Sequence, residues 1–151
     1  MKKIVIGSKP KQCDYRKTCY GIIEQNDKFL VVYSEKDKNY SLIGGGVESG
    51  ESLFDAIKRE FLEESGYDVI QVKEYVNIDC FWIKNDRRKM ETDANFLLVK
   101  VSQNRNTPLE YFHKPLWVSA DELLSLIKYP YQIEALKVYF SERAKIDFFN
   151  N

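Results

Sequence analysis

Glu60, Glu63 and Glu64 stand three and four residues apart, so on a helix they share one face. Arg59 directly precedes them, Glu51 lies eight residues before Arg59, and Gly44, Gly45 and Gly46 lie ahead of both. Like charges at this spacing destabilise a helix by about 0.2–0.5 kcal/mol per pair, so folding alone does not account for the cluster. A divalent cation removes the repulsion. Hard cations such as Mg2+ prefer carboxylate and carbonyl oxygens and keep positions open for water and substrate phosphates. The chemistry indicated is metal-assisted work on a phosphate group.

The direction of the acids sharpens this. With residues about 100° apart around a helix, Glu60, Glu63 and Glu64 fall on the side of Leu53, Ala56 and Ile57. They continue the apolar stripe, whereas a solvated acidic face would lie near Asp55, Lys58 and Leu62. Ionised carboxylates at a half-buried edge need a cation or strong hydrogen bonds. Arg59 projects to one side and leans toward the helix N-terminus, where Glu51 sits, so an Arg59–Glu51 pair would tie the loop to the helix. The glycines allow close backbone approach to a ligand, positive φ angles and one further carbonyl oxygen.

The elements that must position these residues follow from patterning. Tyr20–Glu24 and Phe29–Tyr33 around Asn26-Asp27 read as a hairpin, and Tyr40–Ile43 as a short strand entering the glycine run. Ser52, with Asp55 three residues on, caps a helix that Gly66 ends. Val69–Lys84 and Met90–Val101 are β-rich and flank the polar turn Asn85–Arg88. Pro115–Val118 is a shorter strand, and Ser119 with Glu122 caps a helix over Ala120–Ile127. Pro130 breaks the chain before a last helix carrying Ile133, Leu136 and Phe140 on one stripe. This order predicts a mixed sheet covered by helices, with the acidic helix and its preceding loop near the sheet centre.

Size and charge bound the function. A chain of 151 residues fits one domain, expected to span residues 1–151. Lys and Arg (23) balance Asp and Glu (23), which argues against a nucleic-acid binder working by bulk electrostatics. No stretch approaches a membrane span, and the apolar N-terminal run is too short for a signal peptide. Three cysteines (Cys13, Cys19, Cys80) without a Cys-x-x-Cys spacing fit neither a disulfide framework nor a zinc site, and the single histidine, His113, excludes a multi-histidine centre. A cytoplasmic, reduced setting is expected. A homodimer is compatible with the sequence but unmarked in it.

The segment resembles the Nudix box, Gly-x5-Glu-x7-Arg-Glu-U-x-Glu-Glu-x-Gly-U with U bulky and aliphatic. Gly45, Glu51, Arg59, Glu60, Glu63, Glu64 and Gly66 occupy its fixed places, while the U places hold aromatic Phe61 and Tyr67. The resemblance implies an α/β/α sandwich around a mixed sheet. It also implies hydrolysis of a nucleoside diphosphate linked to another moiety, with water attacking phosphorus and releasing a nucleotide and a phosphate or phosphorylated product. By position, Glu60, Glu63 and Glu64 would hold Mg2+ or Mn2+ with a carbonyl from Gly44 or Gly45, and Glu51 with Arg59 would orient them. The general base would be Glu63 or Glu60, or Glu110 from the loop before Trp117, a place used in parts of the family. The partner is a small nucleotide-type substrate.

Other readings compete. Gly45-x4-Gly50-Glu51-Ser52 nearly makes a P-loop, but Glu51 stands where that motif needs lysine. A non-catalytic nucleotide-binding module need not keep all three acids. A prenyl-diphosphate isomerase would need a reactive cysteine, for which Cys80 is a weak choice. His113 reads as an ordinary loop residue, Glu48 and Glu91 as ordinary acids, and Arg87-Arg88 as a solvated turn. Tyr40, Tyr75, Phe81 and Trp82 could stack on a base, but core packing is the commoner fate of such rings.

Overall fold

Alternation decides the layers. Neighbouring residues such as Cys19 and Tyr20, Leu30 and Val31, Leu42 and Ile43, and Leu97 and Leu98 are buried on opposite faces of one sheet. A strand buried on both faces needs a cover on both, and the helices supply it. The computed structural model describes residues 1–146 and Phe149; Asp147, Phe148, Asn150 and Asn151 of the expected 1–151 span lie outside the described residues.

The strands are β1 (Lys2–Ile6), β2 (Asp14–Ile22), β3 (Glu24–Gln25), β4 (Lys28–Ser34), β5 (Asn39–Gly46), β6 (Tyr67–Ile83), β7 (Lys89–Arg105) and β8 (His113–Ser119). The helices are α1 (Leu53–Glu64), α2 (Ala120–Leu126) and α3 (Pro130–Glu142), followed by a 3-10 turn at Arg143–Lys145. The sheet runs β1-β6-β7-β2-β5-β4-β3, with β8 pairing on β4. It is mixed: β1 with β6 and β2 with β7 are parallel, and the other pairs are antiparallel. Helix α1 covers one face through Ala56, Ile57 and Phe61. The other face is covered by α2 through Leu123 and by α3 through Ala135, Leu136 and Tyr139. The architecture is the expected α/β/α sandwich. No helix among the described residues is long and apolar enough to cross a membrane.

The caps fall where the sequence puts them. Ser52 Oγ accepts the Asp55 N–H at 3.0 Å, and Ser119 with Glu122 completes both halves of a capping box. Gly66, at φ 77°, ends α1 in the left-handed region that a side chain would strain. Phe61 at the box's aliphatic place is fully buried over Gly21, where an added Cβ would lie 2.5 Å from its ring. The larger ring therefore fills room that a side chain on β2 would otherwise take.

Two expectations shift and one strand is added. The tight Asn26-Asp27 turn, with φ 52° and 61°, joins only β3 to β4, while Tyr20–Ile22 belongs to β2 and pairs with β5 and β7. Lys2–Ile6 forms a parallel edge strand on β6, a long-range pairing that a short local run does not announce. In α3 the buried face is Tyr131, Gln132, Ala135, Leu136 and Tyr139; Ile133 and Phe140 pack at its margin. Gln132 accounts for part of this rotation, because its Oε1 accepts the Leu42 N–H at 2.8 Å and its Nε2 donates to Ser41 Oγ at 2.9 Å. There β5 changes partner, from β4 over Asn39–Leu42 to β2 over Ile43–Gly46.

Candidate active site

The glycine run is strand, not loop. Gly44, Gly45 and Gly46 pair with Tyr20, Cys19 and Thr18 of β2, and Gly44 alone of the three has a positive φ. Their use is closeness. A Cβ on Gly45 would stand 2.8 Å from Glu60 Oε1, so only glycine lets this carboxylate lie against the strand. The Gly44 N–H donates to Glu64 Oε1 at 3.2 Å. Helix α1 thus lays its acidic half on the sheet.

Burial divides the acids. Glu60 and Glu64 are 7% and 5% exposed, while the Glu63 side chain is 27% exposed and faces the solvent side of the cleft. Burial, reinforced by hydrogen bonding to Glu60 and its charge, pushes the Glu64 carboxyl well above the usual carboxylate range. Burial and the neighbouring Glu60 and Glu110 charges raise Glu63 as well.

Arg59 fastens the other side. Its Nε and Nη2 donate to Glu51 Oε2 and Oε1 at 2.8 and 2.9 Å, a two-pronged pair. Nη2 also donates to the Gly46 carbonyl and Nη1 to Glu60 Oε1, both at 3.0 Å. Glu51 also accepts the Glu48 N–H at 2.9 Å, and the Arg59 hydrogen bonds hold its carboxyl down at about 2. The loop, strand and helix are therefore tied through one guanidinium.

A second segment reaches the acids. The last turn of a helix leaves carbonyls without partners. Here the Leu109 and Glu110 N–H groups donate to the Leu62 and Glu63 carbonyls at 3.4 and 2.9 Å, and Asn106 N–H donates to Gly66 O at 2.8 Å. Glu110 is thereby carried to the cleft. His113, at the start of β8, also lines it, with Nδ1 2.7 Å from Glu110 Oε1.

The cleft measures about 670 Å3. Glu60, Glu63, Glu64 and Glu110 beside the glycine strand make its acid end, and Tyr20, Trp82, Tyr129 and Tyr131 with Arg16 and Lys84 make a ring end; the two meet at the glycines, where Tyr20 lies against Gly44 and Arg16 against Gly46. Tyr131 is the hub of the rings, its centroid 5.7 Å from Tyr20 and Tyr129 and 5.8 Å from Trp82. Of the four rings singled out in the sequence, Trp82 alone lines the cleft. Tyr40 packs on Tyr33, and Tyr75 contacts Tyr139 and donates to Glu142. Arg16, Tyr129 and Tyr131 escape a sequence reading, although Arg16, Thr18 and Tyr20 alternate along one strand and two tyrosines bracket Pro130. Glu48 is an exposed loop acid, and neither Glu91 nor Arg87 and Arg88 line the cleft. Cys80 is buried in the core away from the cleft, with its thiol pushed up to about 11 by burial, which leaves the isomerase reading without its nucleophile.

The NUDIX domain family model matches residues 15–139. The chain belongs to the Nudix family. It is 30% identical over 142 residues to Nudix hydrolase 21, chloroplastic, of Arabidopsis thaliana, a match covering 93% of this chain and 68% of that one. It is 30% identical over 114 residues to nucleoside triphosphatase NudI of Escherichia coli (strain SE11), covering 68% of this chain and 81% of that one. The fold is shared with a NUDIX hydrolase from Nitrosomonas europaea (TM-score 0.65, 20% identity, 90% of this chain and 98% of that one). A MutT structure from work on Aliivibrio salmonicida and Vibrio cholerae shares it too, with a TM-score of 0.64 at 18% identity over 85% of this chain and 99% of that one. The protein is a Nudix-type pyrophosphohydrolase.

Proposed function

We propose that this Nudix protein is a divalent-metal-dependent hydrolase of a nucleoside diphosphate linked to another moiety, acting on a small nucleotide in a cytoplasmic setting. One observation carries the reading: two buried carboxylates, Glu60 and Glu64, line an open cleft that rings line as well. A carboxylate pair out of water must share a proton or gather a cation. The donor set, with oxygens throughout the box, suits Mg2+ or Mn2+.

Glu60, Glu63 and Glu64 would hold the cation, with a backbone oxygen of Gly44 or Gly45 as a further ligand. When bound, such a cation lowers the pKa of water and neutralises charge on phosphate oxygens. Glu51 and Arg59 keep Glu60 in place, since the same guanidinium contacts both acids. Glu63 is the favoured proton acceptor: Glu60 accepts from Arg59 at 3.0 Å and Glu64 from Gly44, whereas Glu63 pairs with Arg59 more loosely, at 3.5 Å, and is the most exposed of the three acids. Glu110 can serve from the facing loop. The rings at the other end would stack a nucleobase, with Arg16 and Lys84 nearby for negative charge. The balanced charge does not favour bulk nucleic acid.

A panel of deoxynucleoside triphosphates, nucleoside diphosphate sugars, ADP-ribose and capped RNA ends, assayed with Mg2+ and Mn2+ for released phosphate or nucleoside monophosphate, tests the proposal. Hydrolysis of at least one member that stops with chelator supports it. Folded protein that hydrolyses none with either ion refutes it.

A further inference from the structure

His113 is the side chain at the acid end that the box does not explain. A carboxylate oxygen of Glu64, one of Glu110 and an imidazole nitrogen of His113 all lie within 4.8 Å of one another. The three come from separate elements: the end of α1, the loop after β7 and the first residue of β8. Each is fixed. Glu64 is 5% exposed and held by the Gly44 N–H. Glu110 hangs on the Glu63 carbonyl through its backbone, and the His113 N–H donates back to the Glu110 carbonyl at 3.1 Å.

The imidazole makes the cluster unlike an all-acid site. Nδ1 is buried and has no hydrogen-bond partner, although Glu110 Oε1 stands 2.7 Å away. The two atoms are close but not aligned donor to acceptor. Neighbouring ligands on a small octahedral cation, with arms of about 2.1 Å, stand about 3 Å apart, so these two atoms need to part by only a few tenths of an ångström to share an ion. Glu64 across the gap supplies a buried carboxyl oxygen, and the cleft leaves room for water.

We propose that Glu64, Glu110 and His113 form a mixed nitrogen–oxygen site for one divalent cation, with His113 Nδ1 as a ligand and Mn2+ favoured over Mg2+. It rests on the reading that the α1 acids gather metal, and adds which ion and through which atom. Imidazole is a borderline donor that strengthens binding of transition ions, whereas Mg2+ holds to oxygen and water. Binding needs the Nδ1 lone pair, so an imidazolium would give up its proton to solvent on ion uptake.

The chain contains a single histidine, so any imidazole signal from tag-free protein belongs to His113. The test is Mn2+ binding to the full chain, followed by electron paramagnetic resonance with pulsed detection of nitrogen coupling. It is run on protein carrying ordinary or 15N-labelled histidine, and Kd values for Mn2+ and Mg2+ are measured alongside. The expected result is a directly coordinated nitrogen whose signal changes with the label. His113→Gln should abolish it and weaken Mn2+ about tenfold or more, with a much smaller change for Mg2+. Should His113→Gln fail to fold, the label comparison on the unaltered chain decides by itself. Mn2+ bound at the acids without histidine nitrogen coupling overturns this site and leaves the broader metal reading standing; His113 and Glu110 are then only an ion pair. Absence of Mn2+ uptake, with or without a nucleoside diphosphate, overturns both.

Discussion

The two ends of the cleft are built in different ways. The acid end comes mainly from one stretch, Gly44 to Glu64, folded as strand, loop and helix, with Arg59 touching Gly46, Glu51 and Glu60. The ring end is assembled from β2, β6 and the start of α3, whose residues lie far apart in the chain and meet only through the sheet. One end is a local device and the other a tertiary one. On the proposed function, chemistry would be written compactly in the chain, and the choice of substrate would be spread over elements that can change independently.

This contrast can be broken by substitution. If the acid end carries the reaction, Glu64→Gln or Glu63→Gln should lower kcat by about 10²–10⁴-fold while leaving circular dichroism unchanged. Turnover close to the unaltered rate in both variants would refute the assignment. Arg59→Lys keeps charge but cannot span both Glu51 oxygens and Glu60, so activity should fall by about 10–100-fold, read as kcat/KM at saturating Mn2+. The ring end should answer differently. Tyr129→Ala should raise KM for the preferred nucleotide by about tenfold, the order of one lost base stack, with kcat changed much less. A fall in kcat with constant KM would move Tyr129 to the chemistry side and dissolve the division.

The smallest effect is on stability. Glu51 is held at about 2 against an ordinary 4.5, so its pair with Arg59 contributes fully above about pH 4.5 and fades as pH falls toward 2. Glu51→Gln should cost about 1 kcal/mol at neutral pH and flatten the acid limb of stability over that window, as followed by urea unfolding. An unchanged limb would mean that the pair orients without stabilising.

How much was legible follows the same division. Helix α1, its cap at Ser52 and its stop at Gly66 were readable because capping, periodicity and charge direction are all local. Burial of Glu60 and Glu64 was foreshadowed by their projection onto the side of Ala56 and Ile57. Nothing in Gly44–Gly46 reveals a β2 partner, so the sequence alone ends the strand at Ile43. His113 reads as ordinary in the sequence because one of its two acidic neighbours, Glu64, comes near it only through the fold. The aromatic set is hidden for a similar reason: Tyr129 and Tyr131 lie at the start of α3, which Gln132 pins to Ser41 and Leu42 of β5.

The segment between β7 and β8 has a consequence for evolution and engineering. Surface connections usually tolerate added or deleted residues. This one is stitched at Asn106, Leu109 and Glu110 to carbonyls at the end of α1, so its length sets a register against the neighbouring helix. Lengthening it by a single residue would unthread those stitches and swing an acid out of reach, so here spacing is under as tight a constraint as residue identity.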